Sequence, residues 1–144
     1  VVSACASKKT TTTKIDSQIQ GDVFIGDDTV EYLAKGVPDR VFFATNESIL
    51  TTKSRDTLRK QAAWLRENTN VNVVVEGHAD ERGTREYNLA LGERRANVVS
   101  ELLQVNGVPS SSITTVSYGE ERPVAYSSDE SSWSKNRRAV VKVL

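Results

Sequence analysis

Apolar and polar positions follow two periods along the chain, and these predict strands and helices in turn. Short runs rich in Val, Ile and Phe predict strands, whereas apolar positions three and four residues apart predict amphipathic helices. The predicted strands are 40–44, 71–77, 113–118 and 138–143, and the predicted helices are 27–33, 54–68 and 87–105. Strands that alternate with helices indicate an α/β (α+β sandwich) fold, with a mixed sheet of about four strands and helices packed on one face.

The first part of the chain lacks both periods. From Lys8 to about Gly26 it contains few apolar positions and a run of four threonines, so it buries too little surface to offset the entropy of ordering. We therefore predict a flexible tether over residues 5–26 and one domain over 27–144. A total of 144 residues is the size of an ordinary single domain.

The single cysteine lies in this tether. One interpretation is a chance cysteine in a disordered start. The other is that Val2-Ser3-Ala4-Cys5 resembles the lipobox of bacterial lipoproteins, in which the thiol of the cysteine carries lipid. Residues 1–4 would then be the remnant of a signal peptide and Cys5 the lipid attachment point. Ala6, rather than an aspartate, after the cysteine is consistent with sorting to the outer membrane.

Composition excludes several classes of function. Lys plus Arg and Asp plus Glu number 19 each, so the formal net charge is zero, which argues against a nucleic-acid binder with a basic surface. One cysteine and one histidine exclude an intramolecular disulfide and a structural Cys/His zinc site. We expect no cofactor, no metal and no nucleic-acid partner.

An arginine interrupts the apolar stripe of the helix predicted over 87–105. At 100° per residue, Arg95 lies within the arc formed by Leu91, Val98 and Leu102. A guanidinium in a buried stripe is costly unless a carboxylate or a ligand satisfies it. Arg95 is therefore either half of a structural ion pair or part of a binding site.

The loop before this helix supplies an acid that can face Arg95. Asp80 follows the central predicted strand, and Gly77 and Gly83 allow a ligand to approach the backbone. A pocket with a carboxylate on one side and a guanidinium on the other suits a zwitterion. Asp80 would bind an ammonium group, and Arg95 would bind a carboxylate through two parallel hydrogen bonds, while Thr84 and Asn88 donate or accept at the rim.

Several stretches of the domain closely resemble the OmpA-like peptidoglycan-binding domain. They read EGHADERGT at 76–84, YNLALGERRAN at 87–97, VSYGEERP at 116–123 and KNRRAV at 135–140. The resemblance spans about residues 38–144 in the family's order. Together with the lipobox and the tether, it favours the lipid-anchored members of the family over the porin-linked or flagellar-stator members.

The resemblance implies a function and a set of binding residues. Members bind the peptide stem of peptidoglycan without covalent chemistry, through the ammonium and carboxylate of diaminopimelate. The family's ligand-binding positions fall on Asp80, Arg95, Asn88, Thr84, Arg138 and the Phe43-Ala44 turn. Ala44 departs from the aspartate that many relatives have there, which leaves a backbone contact at that position.

The resemblance also implies partners and a location. Lipid-anchored members bind TolB through a surface that overlaps the peptidoglycan site, and they act with the Tol proteins in envelope integrity and cell division. The expected location is the outer membrane of a Gram-negative bacterium, facing the periplasm and anchored by lipid on Cys5.

A metal-dependent wall hydrolase is the alternative function. His78 and Asp80, with Glu76 or Glu81, are residue types that bind catalytic metals. Only one histidine is present, however, and neither an acid/base pair nor an activated nucleophile is evident. We therefore expect a binding module rather than an enzyme, with His78 as a packed, hydrogen-bonded residue.

Overall fold

The fold is given by a computed structural model that describes residues 19–27 and 29–144. Within those ranges the strands are Ile19–Gln20 (β1), Val23–Phe24 (β2), Tyr32–Ala34 (β3), Val37–Pro38 (β4), Arg40–Phe42 (β5), Val73–His78 (β6), Ile113–Gly119 (β7) and Arg138–Val143 (β8). The α-helices in the same ranges are Thr52–Glu67 (α1), Arg85–Val105 (α2) and Glu130–Asn136 (α3), and a 3₁₀ turn forms at Ser110–Ser112.

The main sheet has four strands in the order β5-β8-β6-β7. Strand β8 is antiparallel to both of its neighbours, β5 and β6, whereas β6 and β7 are parallel. A parallel pair needs a long crossover, which α2 provides between β6 and β7. The mixed four-stranded sheet predicted from the sequence is therefore confirmed.

The hydrophobic core lies between the sheet and the helices. Because side chains alternate along a strand, Val41, Val73, Val75 and Val141 share one face. That face packs on apolar residues of α1 and α2. The buried cluster comprises Val41, Phe43, Leu50, Leu58, Ala62, Leu65, Val73, Val75, Ala96, Val99, Leu103, Val108, Ala139 and Val141.

Helix α2 crosses the sheet at a contact between two glycines. A methyl group on Gly77 would lie 1.7 Å from the backbone oxygen of Gly92, so a side chain at Gly77 would force the helix away from β6. This close approach fixes α2 beside the end of β6, where the loop containing Asp80 begins. No helix among residues 19–27 and 29–144 is long and apolar enough to cross a bilayer.

The end of the predicted tether differs from expectation, because residues 19–26 pack on the domain. Strands β1 and β2 form a small hairpin through Gly21 and Asp22, which have φ angles of 56° and 73°. Phe24 is 2% exposed and contacts Phe42 edge-on, with ring centroids 4.9 Å apart. Phe24 is the main apolar contact of this segment with the sheet, and so short a hairpin has no apolar period to detect. Cys5 lies outside the described residues.

The helix predicted over 27–33 is wrong. Strands β3 and β4 pair there as an antiparallel hairpin, with Gly36 at φ 75° in the connecting turn. A helix of so few residues is marginal, whereas a glycine in the left-handed region favours a tight turn. The backbone N–H of Asp39 donates to the carbonyl oxygen of Glu31 at 2.9 Å and joins this hairpin to the start of β5.

Candidate ligand-binding site

Asp80 lies in the loop between β6 and α2, where four hydrogen bonds engage its carboxylate. Oδ1 accepts from the backbone N–H of Arg82 at 3.0 Å and from its Nε at 3.1 Å. Oδ2 accepts from Nη2 of Arg82 at 2.9 Å and from Nη1 of Arg137 at 3.3 Å. Burial opposes the charge of Asp80, but the hydrogen bonds from Arg82 and Arg137 outweigh it and lower the pKa of this carboxyl below its usual value. Asp80 is therefore an anion at neutral pH.

Arg95 is fully buried, and main-chain carbonyl groups surround its guanidinium. Nε donates to Glu47 O at 2.9 Å, Nη1 to His78 O at 2.8 Å and Nη2 to Ala44 O at 3.0 Å. Its guanidinium carbon also lies 5.2 Å from the centre of the Phe43 ring. Burial and the nearby positive charge of Arg137 lower the pKa of Arg95 to about 9, so it remains a cation at neutral pH.

The contacts of Arg95 are not those of the structural ion pair considered from the sequence, and its part in a binding site stays a prediction. Carbonyl oxygens rather than a carboxylate balance its charge, and they come from the end of β6 and from the turn after β5. Arg95 thus ties two loops together beside Asp80. It keeps N–H groups beyond these three bonds, because a guanidinium has a donor on Nε and two on each terminal nitrogen.

The structure brings Arg137, rather than Arg138, to Asp80. The side chain of Arg137 is 1% exposed and donates to Asp80, to Glu130 and, at 2.9 Å, to Phe43 O. Arg138 donates instead to Arg122 O at 2.9 Å and to Asn136 O at 3.2 Å. Arg138 is the first residue of β8, and neighbouring side chains of a strand point to opposite faces. Arg138 therefore does not contact Asp80 in this structure, and its role at the border of the ligand site stays a prediction.

Thr84 and Asn88 hold the Asp80 loop in place. Thr84 is the N-cap of α2 and accepts a hydrogen bond from the backbone N–H of Tyr87 at 3.1 Å. Asn88 is 1% exposed, and its amide donates to Arg82 O and to the carboxylate of Glu120, both at 3.1 Å. Both residues therefore lie next to the site, and in this structure their polar atoms position the loop.

The Phe43-Ala44 turn contributes backbone atoms to the site. The carbonyl oxygens of Phe43 and Ala44 accept from Arg137 and Arg95, respectively. Thr45 follows them, and its hydroxyl oxygen accepts from Nη2 of Arg82 at 3.2 Å. A separate groove of about 480 Å³ is lined by Val30 and by residues within 21–27, 38–44 and 47–57. Of the predicted site residues it includes Ala44 but neither Asp80 nor Arg95.

His78 is packed and hydrogen-bonded as expected. Its Nε2 lies 3.1 Å from a carboxylate oxygen of Glu76, and its ring stacks on Tyr118 at a centroid distance of 5.6 Å. Burial and the positive charges of Arg138 and Lys142 lower the pKa of His78 to about 2, so the ring is neutral. Within residues 19–27 and 29–144, no three His, Cys, Asp or Glu side chains are grouped so that they could hold a metal ion.

Comparison with known proteins identifies the family. Residues 42–137 match the OmpA family model. The chain is 47% identical over 139 residues to the peptidoglycan-associated lipoprotein of Mesorhizobium japonicum, an alignment that covers 96% of this chain and 83% of that protein. It is 54% identical over 104 residues to the protein of the same name from Agrobacterium fabrum, over 72% of this chain and 59% of that protein.

Solved structures agree with these relatives. The crystal structure of the peptidoglycan-associated lipoprotein from Burkholderia pseudomallei superimposes with a TM-score of 0.72 at 37% identity, over 74% of this chain and 90% of that one. The C-terminal domain of Helicobacter pylori MotB superimposes with a TM-score of 0.69 at 20% identity, over 74% of this chain and 84% of that one, which shows the shared fold alone. The chain therefore belongs to the OmpA family, in the group of the peptidoglycan-associated lipoproteins.

Proposed function

We propose that this protein is an outer-membrane lipoprotein that binds the diaminopimelate of peptidoglycan stems non-covalently and so anchors the outer membrane to the cell wall. Relatives named for association with peptidoglycan and a match to the OmpA family over the domain support the peptidoglycan partner. Lipid on Cys5 provides the membrane anchor, and the protein faces the periplasm of a Gram-negative bacterium. TolB and other Tol proteins are its partners in the Tol-Pal system of envelope integrity and cell division.

The observation that carries the proposal is one charged pair of binding groups beside the same loop. Asp80 is an anion, and the adjacent Arg95 is a cation. A ligand end with an ammonium and a carboxylate matches both signs. The ammonium binds Asp80, and the carboxylate binds the N–H groups that Arg95 does not give to carbonyls. Because Arg95 is 0% exposed, this second contact requires the turn after β5 to move when the ligand enters.

In the free protein, the position for the ammonium is occupied by the protein's own guanidinium. Nη2 of Arg82 lies 2.9 Å from Asp80 Oδ2 and 3.2 Å from Thr45 Oγ1. The side chain of Arg82 is 39% exposed and its guanidinium lies 4.0 Å from the ring centre of Trp133. It is therefore free to turn toward solvent when the ligand binds, and Trp133 gives it an aromatic surface to remain on.

Sedimentation with purified sacculi tests the proposal. The proteins compared are the wild type, Asp80→Ala, Arg95→Ala and, as a control, Asp56→Ala, which removes an exposed acid of α1 that pairs with Arg59. We expect the wild type and Asp56→Ala to sediment and the other two to remain soluble, with binding reduced more than ten-fold.

Two further measurements separate a lost binding site from a misfolded variant and from an enzyme. Circular dichroism identifies any variant that fails to fold, and Asp80→Asn replaces Asp80→Ala in that case because it keeps the shape of the side chain. Equal sedimentation of all folded variants would refute the binding site. Release of soluble muropeptides by the wild type would instead favour the hydrolase.

A further inference from the structure

A turn from outside the matched family domain reaches the candidate site. Asp22 lies between β1 and β2, whereas the OmpA family match begins at residue 42. The turn is held by Phe24, which is buried against Phe42, and by the Lys53 ammonium, which donates to Ile25 O at 3.1 Å. Asp22 has a φ angle of 73°, in the left-handed region that aspartate tolerates better than most residues.

The carboxylate of Asp22 is joined to the site through Thr45. Oδ2 accepts from the Thr45 hydroxyl at 2.6 Å and from its backbone N–H at 3.3 Å. Oδ1 lies 3.9 Å from Nη2 of Arg137, and this same nitrogen donates to the backbone oxygen of Asp22. The side chain of Asp22 is 44% exposed, so part of its carboxylate is open to solvent.

The charges around Asp80 explain why a second acid matters there. Asp80 is shared between the guanidiniums of Arg82 and Arg137, and the latter also pairs with Glu130. Arg95 adds a third guanidinium beside Asp80, so the positive charges outnumber these two carboxylates and would repel an ammonium. The carboxylate of Asp22 offsets this excess.

The contacts of Arg82 indicate where the ammonium would lie. Its Nη2 contacts the carboxylate of Asp80 and the hydroxyl of Thr45, and this hydroxyl contacts Asp22. An ammonium has three donors, so one that replaces this nitrogen can bond to Asp80 and to Thr45 and still direct a third N–H toward Asp22.

From this geometry we infer that Asp22 is a further ligand-binding residue, which contributes the second carboxylate for a ligand ammonium. The inference rests on the proposed function. The segment between the predicted lipid anchor and the domain then takes a direct part in ligand recognition and is more than a mechanical link.

The test is a titration of the 144-residue chain with a muramyl tripeptide that ends in meso-diaminopimelate. Asp22→Asn keeps an acceptor for Thr45 and removes the charge, and Asp27→Asn removes an exposed acid of the same segment as the matched control. We expect Asp22→Asn to weaken binding about two- to five-fold at low salt, as for other partly exposed charges, and Asp27→Asn to leave it unchanged.

A ligand that lacks the distal ammonium charge of diaminopimelate isolates the role of Asp22. With the distal amine of diaminopimelate acetylated, wild type and Asp22→Asn should bind equally, and the difference between them should also disappear in about 1 M salt. Unchanged or tighter binding by Asp22→Asn, or an equal loss with both ligands, would overturn the inference. Asp80→Asn is titrated in parallel: if it also binds like the wild type, the site itself is misplaced, whereas an effect of Asp80→Asn alone refutes only the role of Asp22.

Discussion

Asp80 and Arg95 receive their hydrogen bonds from different kinds of groups, and the difference shows which of the two can more easily exchange a partner for a ligand. Side chains provide three of the four hydrogen bonds to the Asp80 carboxylate, and two of these three come from the half-exposed Arg82. Arg95 is satisfied by three main-chain carbonyl groups and has no exposed surface. A side chain can turn away to admit a ligand, whereas a carbonyl oxygen moves only with its loop. Asp80 can therefore exchange a partner when one side chain moves, whereas Arg95 keeps its three carbonyl partners and offers a ligand only its remaining N–H groups.

The largest effect that follows is on stability. Arg95→Met removes the Arg95 donors from the carbonyl oxygens of Glu47, His78 and Ala44, of which the last still accepts from the backbone N–H of Glu47. It should lower the free energy of unfolding by about 2 to 4 kcal/mol. Asp80→Asn should cost less, about 1 to 2 kcal/mol, because Arg137 keeps Glu130 and Phe43 O as partners. Urea unfolding of both variants measures the difference. The control is Arg94→Met, which replaces an exposed neighbour of Arg95 on α2. An equal loss of unfolding free energy in Asp80→Asn and Arg95→Met would contradict the comparison.

A smaller effect concerns the side chain that fills the site. Arg82→Ala removes the group that competes with a ligand ammonium, so the affinity for the diaminopimelate tripeptide should rise about two- to five-fold. The free energy of unfolding should fall by only about 1 kcal/mol, since the Arg82 side chain is 39% exposed and solvent screens its charge. Calorimetric titration measures the affinity, with the exposed Arg85→Ala as control. Weaker binding by Arg82→Ala would mean that Arg82 binds the ligand itself.

Parts of the site were predictable because they depend on local periodicity. The helical period alone places Arg95 on the buried stripe of α2, and the strand that ends at His78 places Asp80 in the following loop. These features require no knowledge of how distant segments meet.

Other parts depend on long-range contacts that local patterns do not encode. Arg137 and Arg138 are identical neighbours, and only the pairing of Arg138 with Phe42 decides which one faces Asp80. The hydrogen bonds of Asp22 reach Thr45 and Arg137, 23 and 115 positions away. Its hairpin is too short to produce an apolar period, so a polar segment that resembles a tether is in fact packed on the domain over residues 19–26.

The central claim is that Asp80 and Arg95 together recognise a ligand end with both charges. Its most direct test is to compare, by calorimetric titration, muramyl tripeptides that end in diaminopimelate or in lysine, which has the side-chain ammonium but lacks the second carboxylate. The account predicts that the wild-type protein prefers the diaminopimelate form at least ten-fold, and that Asp80→Asn loses most of its affinity for both forms. Equal affinity of the wild type for the two tripeptides would contradict it.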